Sequence, residues 1–203
     1  MAVLGPIVVL QGPPRSGKSS IATALGDPWV NVGVDLFGRA VVPRRFRPGI
    51  GLRPGGERPD LEPLLPAFTA ALFASAAAHS RRGRPVVVDV GLHEDHSRPL
   101  GLRARGAAVL TGLPVLLVGV RCPLEVVVHR RDAAPERYVG SAPGGGIPDV
   151  VRRWDEAVHT PGVYDLEVDT SVLTPEGVAT AIRSRLAEGP PGTAIDVWAR
   201  RSR

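Results

Sequence analysis

A single cysteine, Cys122, stands among 203 residues, which excludes an internal disulfide framework and any zinc site built on two or four thiolates. Aromatic residues make up 4% of the chain, so valine, leucine, alanine and isoleucine must fill the interior. The interleaved rings and bases of a single-strand stacking platform are therefore missing. No stretch reaches the roughly 18 apolar residues of a membrane span, and no basic segment precedes a signal-like core at the amino terminus. The expected location is cytoplasmic, with no membrane partner. Lysine is nearly absent as well: Lys18 is the one lysine among 25 Lys and Arg residues.

The net charge is +5 and the isoelectric point about 10.5. Arginine in place of lysine, alongside abundant Ala, Gly and Pro, reads as background composition rather than as a nucleic-acid footprint. The length suits one α/β domain with a sizeable core, expected over residues 1–188, and leaves no room for a second of similar size.

The lone lysine lies in Gly12-Pro13-Pro14-Arg15-Ser16-Gly17-Lys18-Ser19, which satisfies GxxxxGK[ST], a loop whose backbone N–H groups cradle phosphates. A compact ammonium is suited to reaching the β/γ-phosphates of a nucleotide. An apolar run, Val3 to Leu10, precedes the loop as a buried parallel strand, and Ser19 to Leu25 follows as a helix. Gly12 and Gly17 permit backbone conformations that a Cβ forbids, so N–H groups converge at the positive end of the helix. Residues 12–19 together with Ser20 are the expected ATP-binding set, with the Ser19 hydroxyl on Mg²⁺.

Further along, Trp29 to Val34 reads as a second strand ending in Asp35. Residues 38–60 hold six arginines, four prolines and five glycines, and are expected to be an irregular, functional acceptor-side loop. Leu61, Leu64, Leu65, Phe68 and Leu72 predict an amphipathic helix over 61–80. Pro85 to Val90 reads as a third strand and Pro114 to Val120 as a fourth, with a helix over 98–112 between them. A helix opening at Pro123 runs into Arg130, Arg131 and Arg137, and Gly144-Gly145-Gly146 makes a break. The next helix turns Val150, Val151, Trp154 and Val158 inward. Tyr164 to Val168 is a fifth strand, and Thr174-Pro175-Glu176 starts a helix leading to Leu186. Gly189-Pro190-Pro191-Gly192 sets off a short basic tail, 189–203. Strands alternating with helices imply a three-layer α/β fold, a five-stranded parallel sheet with helices on both faces and ligands at the strands' carboxyl ends.

Asp35 is placed to take the proton of a substrate hydroxyl attacking the γ-phosphate; a helix-capping or loop-ordering aspartate is the alternative. Asp89, at the end of the third strand, would hold Mg²⁺ or bind substrate. His93-Glu94-Asp95-His96 resembles a metal cluster, yet no helical His pair fixes it, and a solvated polar turn or a wall of the acceptor pocket accounts for it better. Arg130, Arg131 and Arg137, within residues 130–146, read as an arginine-rich lid with one or two working members.

The phosphate loop, Gly33-Val34-Asp35, Val118 to Cys122, Arg130, Arg137 and Val158 to Thr170 together resemble the chloramphenicol phosphotransferases, over most of residues 7–182. The resemblance implies a P-loop kinase of the shikimate and adenylate kinase type, dependent on ATP and Mg²⁺, that phosphorylates a primary hydroxyl of an antibiotic. It further implies Asp35 as base, Arg130 and Arg137 as lid arginines, Lys18 at the phosphates, and Asp169 and Thr170 near adenine. The 38–60 segment and the His93–His96 loop depart from the family pattern, and both lie where the acceptor would bind. Other readings are a nucleic-acid or nucleotide kinase using the arginine-rich segment, and a nucleotide-binding regulator without acceptor chemistry. A GTPase is disfavoured, since no lysine besides Lys18 exists for a guanine-reading element. Nucleic acid is not the expected partner, and a homo-oligomer is compatible with the sequence.

Overall fold

A computed structural model describes residues 3–47, 52–133, 140–142, 144–189 and 192–200. Five parallel strands, β1 (Ile7–Gln11), β2 (Val30–Asn31), β3 (Val86–Val90), β4 (Val115–Arg121) and β5 (Leu166–Asp169), form one sheet in the order β2-β3-β1-β4-β5. All five residues of β1 are buried, as expected of a central strand covered on both faces. Helices α1 (Lys18–Leu25) and α7 (Pro175–Glu188) cover one face, where Ile21, Leu25, Val178 and Ile182 meet Val8, Leu10 and Val118. Helices α3 (Leu65–Ser80), α4 (Leu102–Leu110) and α8 (Ala194–Arg200) cover the other, with Phe73, Leu72, Leu110 and Trp198 against Val9, Val88 and Leu117. The three-layer fold is thus the expected one. Because the chain leaves β1 toward β3 and β2 and returns to β4 on the opposite side, the crevice at the carboxyl end of β1 is a topological switch point, where such sheets bind ligands.

Two expectations are corrected, and the fate of the tail is seen. The second strand is only two residues long, and the backbone turns at Gly33 into α2 (Val34–Val41); Asp35 therefore lies in the first turn of a helix, not at a strand end. The segment from residue 38 is not wholly irregular, since α2 continues through Val41 and a 3-10 turn covers Arg44–Phe46. Beyond Gly192, the tail folds onto the domain. Asp165 accepts from Thr193 N (2.7 Å) and Ala194 N (2.9 Å) at the start of α8, and Ala194, Ile195 and Trp198 are buried.

Two short helices complete the chain. α5 (Leu124–Asp132) and α6 (Asp149–His159) share a small core of Cys122, Val127, Val128 and Val151, which holds the end of α5 beside the phosphate loop.

Candidate active site

The phosphate loop bridges β1 and α1 at the switch point. Gly17 has φ +102° and packs against Thr170, whose Cγ2 would lie 3.2 Å from any added Cβ. A side chain at Gly12 would collide with the Val120 carbonyl at 2.6 Å. No side chain caps the N-terminus of α1 and no acid stands in its first turn, which leaves those N–H groups and the positive end of the helix for an anion. Ser16 is buried, and its hydroxyl has no hydrogen-bond partner among the described residues.

Lys18 is also buried, at 8% exposure, contrary to the exposure expected of a loop lysine. Its ammonium donates to the Pro13 carbonyl at 2.9 Å and lies 3.7 Å from Asp89 Oδ1. The Ser19 hydroxyl donates to Asp89 Oδ2 at 2.6 Å. Register explains the meeting: Asp89 pairs with Leu10, the residue before Gln11 and the loop. Two hard oxygens held together beside a phosphate cradle are the ligand type Mg²⁺ prefers.

A cavity of about 720 Å³ runs from the loop to α2 and α3. Gly12, Pro14, Arg15, Gly17, Lys18, Ser19, Ser20, Asp89, Arg130 and Thr170 line its phosphate half. Asp35 and Arg39 of α2, together with Leu65, Phe68 and Leu72 of α3, line the rest. Asp35 is exposed in the cleft. Asp169 ends β5 beside Arg121, its Oδ1 accepting from Ser171 N at 2.7 Å.

Arg130 is held firmly. Its guanidinium donates to the Thr170 hydroxyl (3.0 Å) and carbonyl (2.9 Å), while Arg15 Nε donates to the Arg130 carbonyl at 2.8 Å. Thr170 in turn donates to the Ser16 carbonyl at 2.7 Å. Arg15, with φ +72°, is the one non-glycine residue at positive φ among those described, and these contacts offset the cost of that conformation. Arg131 points elsewhere: it is buried, with its guanidinium over the Trp154 ring. Arg137 lies outside the described residues.

Gln11 and Arg103, neither of which sequence reasoning selects, fix the rear wall. The Gln11 amide donates to the Leu92 (2.6 Å) and Val158 (2.9 Å) carbonyls and accepts from Leu92 N at 3.1 Å. Arg103 donates to the carbonyls of Leu92, Ala157, Val158 and Thr160, satisfying the end of α6. The available signal was a glutamine closing an apolar strand, since buried amides need partners.

The His93–His96 loop is not a solvated turn. His93 is 4% exposed and the His96 side chain 2%. No group of three or more His, Cys, Asp or Glu residues among those described is arranged to hold a metal ion. Burial pushes His93 down to about 4 and His159 down to about 3. His159 Nδ1 and the Tyr164 hydroxyl share a hydrogen bond of 2.7 Å, and burial raises that phenol to about 12. Each depressed histidine binds its proton in the unfolded chain near pH 6.5 but in the folded chain only at far lower pH. Their stabilising contribution is therefore complete above pH 6.5 and falls as pH drops toward 4. The urea midpoint is expected to be lower at pH 5.0 than at pH 7.5, with a smaller difference in His159→Phe; equal dependence in that variant would show that His159 does not drive it.

Arg47 donates to the Val42 and Arg39 carbonyls, and Arg58 pairs with Asp60.

The fold is shared with several kinases at low identity. APS kinase CysC of Mycobacterium tuberculosis is 18% identical, with TM-score 0.61 over 92% of this chain and 99% of that one. A tunicamycin resistance protein of Deinococcus radiodurans is 24% identical, with TM-score 0.58 over 90% and 95%. Shikimate kinase of Acinetobacter baumannii is 14% identical, with TM-score 0.59 over 91% and 94%. No curated protein sequence matches the chain. The profile of one family, described as chloramphenicol phosphotransferase-like protein, matches residues 5–187, which takes in the phosphate loop, Asp35, Asp89, Arg130 and Thr170. On the strength of that near-complete match, the chain belongs to the chloramphenicol phosphotransferase-like family.

Proposed function

We propose that this chain is an ATP- and Mg²⁺-dependent O-phosphotransferase that moves the γ-phosphate to a hydroxyl of a chloramphenicol-like antibiotic or related metabolite. The observation that carries the reading is the convergence of the phosphate loop, the Ser19–Asp89 pair and Asp35 on one cavity. In this reading residues 12–20 bind the phosphates, Lys18 neutralises them, and Asp169 and Thr170 flank the nucleotide's base end. Ser19 and Asp89 would hold Mg²⁺, which supplies charge neutralisation at the transferring group. Asp35 takes the hydroxyl proton as the acceptor oxygen attacks phosphorus and the bond to the β-phosphate bridging oxygen breaks. Arg130, anchored on Thr170, stabilises charge spreading onto the equatorial oxygens.

A lid over 130–146 and an acceptor-side role for the 38–60 segment belong to the same proposal, while α8, packed into the core, carries the domain past residue 188. The antibiotic-resistance role follows only if the acceptor is an antibiotic.

Arg130→Ala is expected to lower kcat and kcat/KM together, because a transition-state cation is lost, with a smaller change in ATP affinity. An effect confined to KM for ATP would make Arg130 a nucleotide clamp. Arg131→Ala is a poor control for it, since its buried contact with Trp154 makes that change a stability mutation.

A further inference from the structure

The loop after β3 divides its side chains by job. Glu94 accepts from Leu102 N (3.3 Å) and Arg103 N (2.9 Å), capping α4. Asp95 is gripped by Arg153 of α6 through two bonds of 2.8 and 3.2 Å, and its carbonyl accepts from Gly55 N. Buried Glu62 accepts from Ser97 N at 2.9 Å and from the Ser97 hydroxyl. These anchors hold the two imidazoles inward, stacked with ring centroids 4.3 Å apart and planes 30° apart. Both rings line the cavity that contains Asp35, as does Trp154.

The nitrogens of this wall are conspicuously idle. His93 Nε2 donates to the Leu52 carbonyl at 3.2 Å, which leaves Nδ1 as an acceptor. His93 Nδ1, both nitrogens of His96 and the Trp154 indole nitrogen are buried without hydrogen-bond partners among the described residues. His96 Nδ1 is 3.7 Å from Glu62 Oε1, too far for a hydrogen bond. Buried polar atoms left unpaired are costly, and such a cluster beside a cavity is explained by a partner that arrives with the ligand. A half-turn of the His96 ring about χ2 exchanges its nitrogen and carbon edges within the same outline, so it can offer a donor or an acceptor to that partner. Burial keeps both rings neutral near pH 7, and the surrounding wall is Leu52, Leu65, Phe68, Leu72 and Leu92.

We propose that His93 and His96 are specificity-determining residues of the acceptor site, hydrogen-bonding a second polar group of an uncharged acceptor whose apolar body lies against the leucine and phenylalanine wall. The inference rests on the phosphotransferase reading for the identity of the other polar group, the hydroxyl at Asp35. The neutral imidazoles and the apolar residues favour an uncharged group at the rings themselves; a carboxylate would instead pair with Arg39 or Arg47, which line the same cavity.

The chain has five histidines, so ¹⁵N imidazole spectra are simple and can be assigned with His93→Phe and His96→Phe. The full chain, with Mg²⁺ and a non-hydrolysable ATP analogue, is titrated with chloramphenicol and separately with shikimate, while phosphate transfer to each is measured with ATP. Chloramphenicol is expected to move the His93 and His96 resonances and leave His79 and His129 in place, and shikimate to move none. His96→Phe should weaken chloramphenicol about three- to tenfold, the worth of one or two hydrogen bonds, with nucleotide affinity unchanged. Resonance shifts without phosphate transfer would overturn the phosphotransferase reading and keep the anchor. Transfer with both rings unmoved and His96→Phe binding normally would overturn the anchor and keep the reading. Binding of shikimate in preference, or of neither compound up to its solubility, overturns the acceptor class assigned here.

Discussion

Lys18→Met is expected to reduce phosphate transfer by about 10²–10³-fold, what one preorganised charge-stabilising donor contributes. The ammonium is buried, 2.9 Å from the Pro13 carbonyl and 3.7 Å from Asp89, so it is already aimed into the phosphate cradle and needs little reorganisation. Burial also alters the choice of substitution. Both Lys18→Ala and Lys18→Met leave the Asp89 carboxylate without its cation and lose the bond to the Pro13 carbonyl, but methionine fills the space that alanine would leave empty. Thermal unfolding by circular dichroism alongside transfer assays separates the two effects. Parental turnover in a folded Lys18→Met chain would remove the lysine from the chemistry.

Asp35→Asn should lower transfer by about 10²–10⁴-fold, the usual contribution of a positioned general base. A hydroxyl is a poor nucleophile until its proton is taken, and asparagine keeps the shape of aspartate without accepting that proton. Asp35 is exposed, in the first turn of α2, so little stability is at stake beyond a helix-dipole contribution of roughly 0.3–1 kcal/mol. ATP affinity should be nearly unchanged, since the phosphate loop is untouched. An asparagine variant working at the parental rate would pass the base role to Asp89, the other carboxylate lining the cavity.

The phosphate loop was legible because its demands are local: two glycines, a lysine and a serine at fixed spacing between a strand and a helix. The five parallel strands followed from buried apolar runs separated by helical spacing, whereas their order in the sheet did not. Asp35 was legible as a cleft residue but not as a helical one. Val30, Val32 and Val34 alternate as a strand does, and the turn at Gly33, where Asn31 Oδ1 accepts from Gly33 N at 2.9 Å, ends that pattern early. In the 38–60 segment, proline and glycine density hid the helical span that closes at Val41.

The sequence left the His93–His96 loop open between a solvated turn and a pocket wall, because its burial is produced by partners far away in sequence, Leu52, Glu62 and Arg153. Arg103 and Gln11 escaped notice for the same reason. Helix α8 had a local signal, Ala194, Ile195 and Trp198 on one helical face, which the preceding Gly-Pro-Pro-Gly stretch obscured.

The central claim is tested most directly by incubating the chain with γ-³²P-labelled ATP, Mg²⁺ and chloramphenicol, and following label into a phosphate ester by chromatography and mass spectrometry, in parallel with Asp35→Asn. The account predicts a labelled ester that forms with the parental chain and falls by about 10²–10⁴-fold with Asp35→Asn. Label that goes only to inorganic phosphate, or an ester formed equally by both chains, would contradict it.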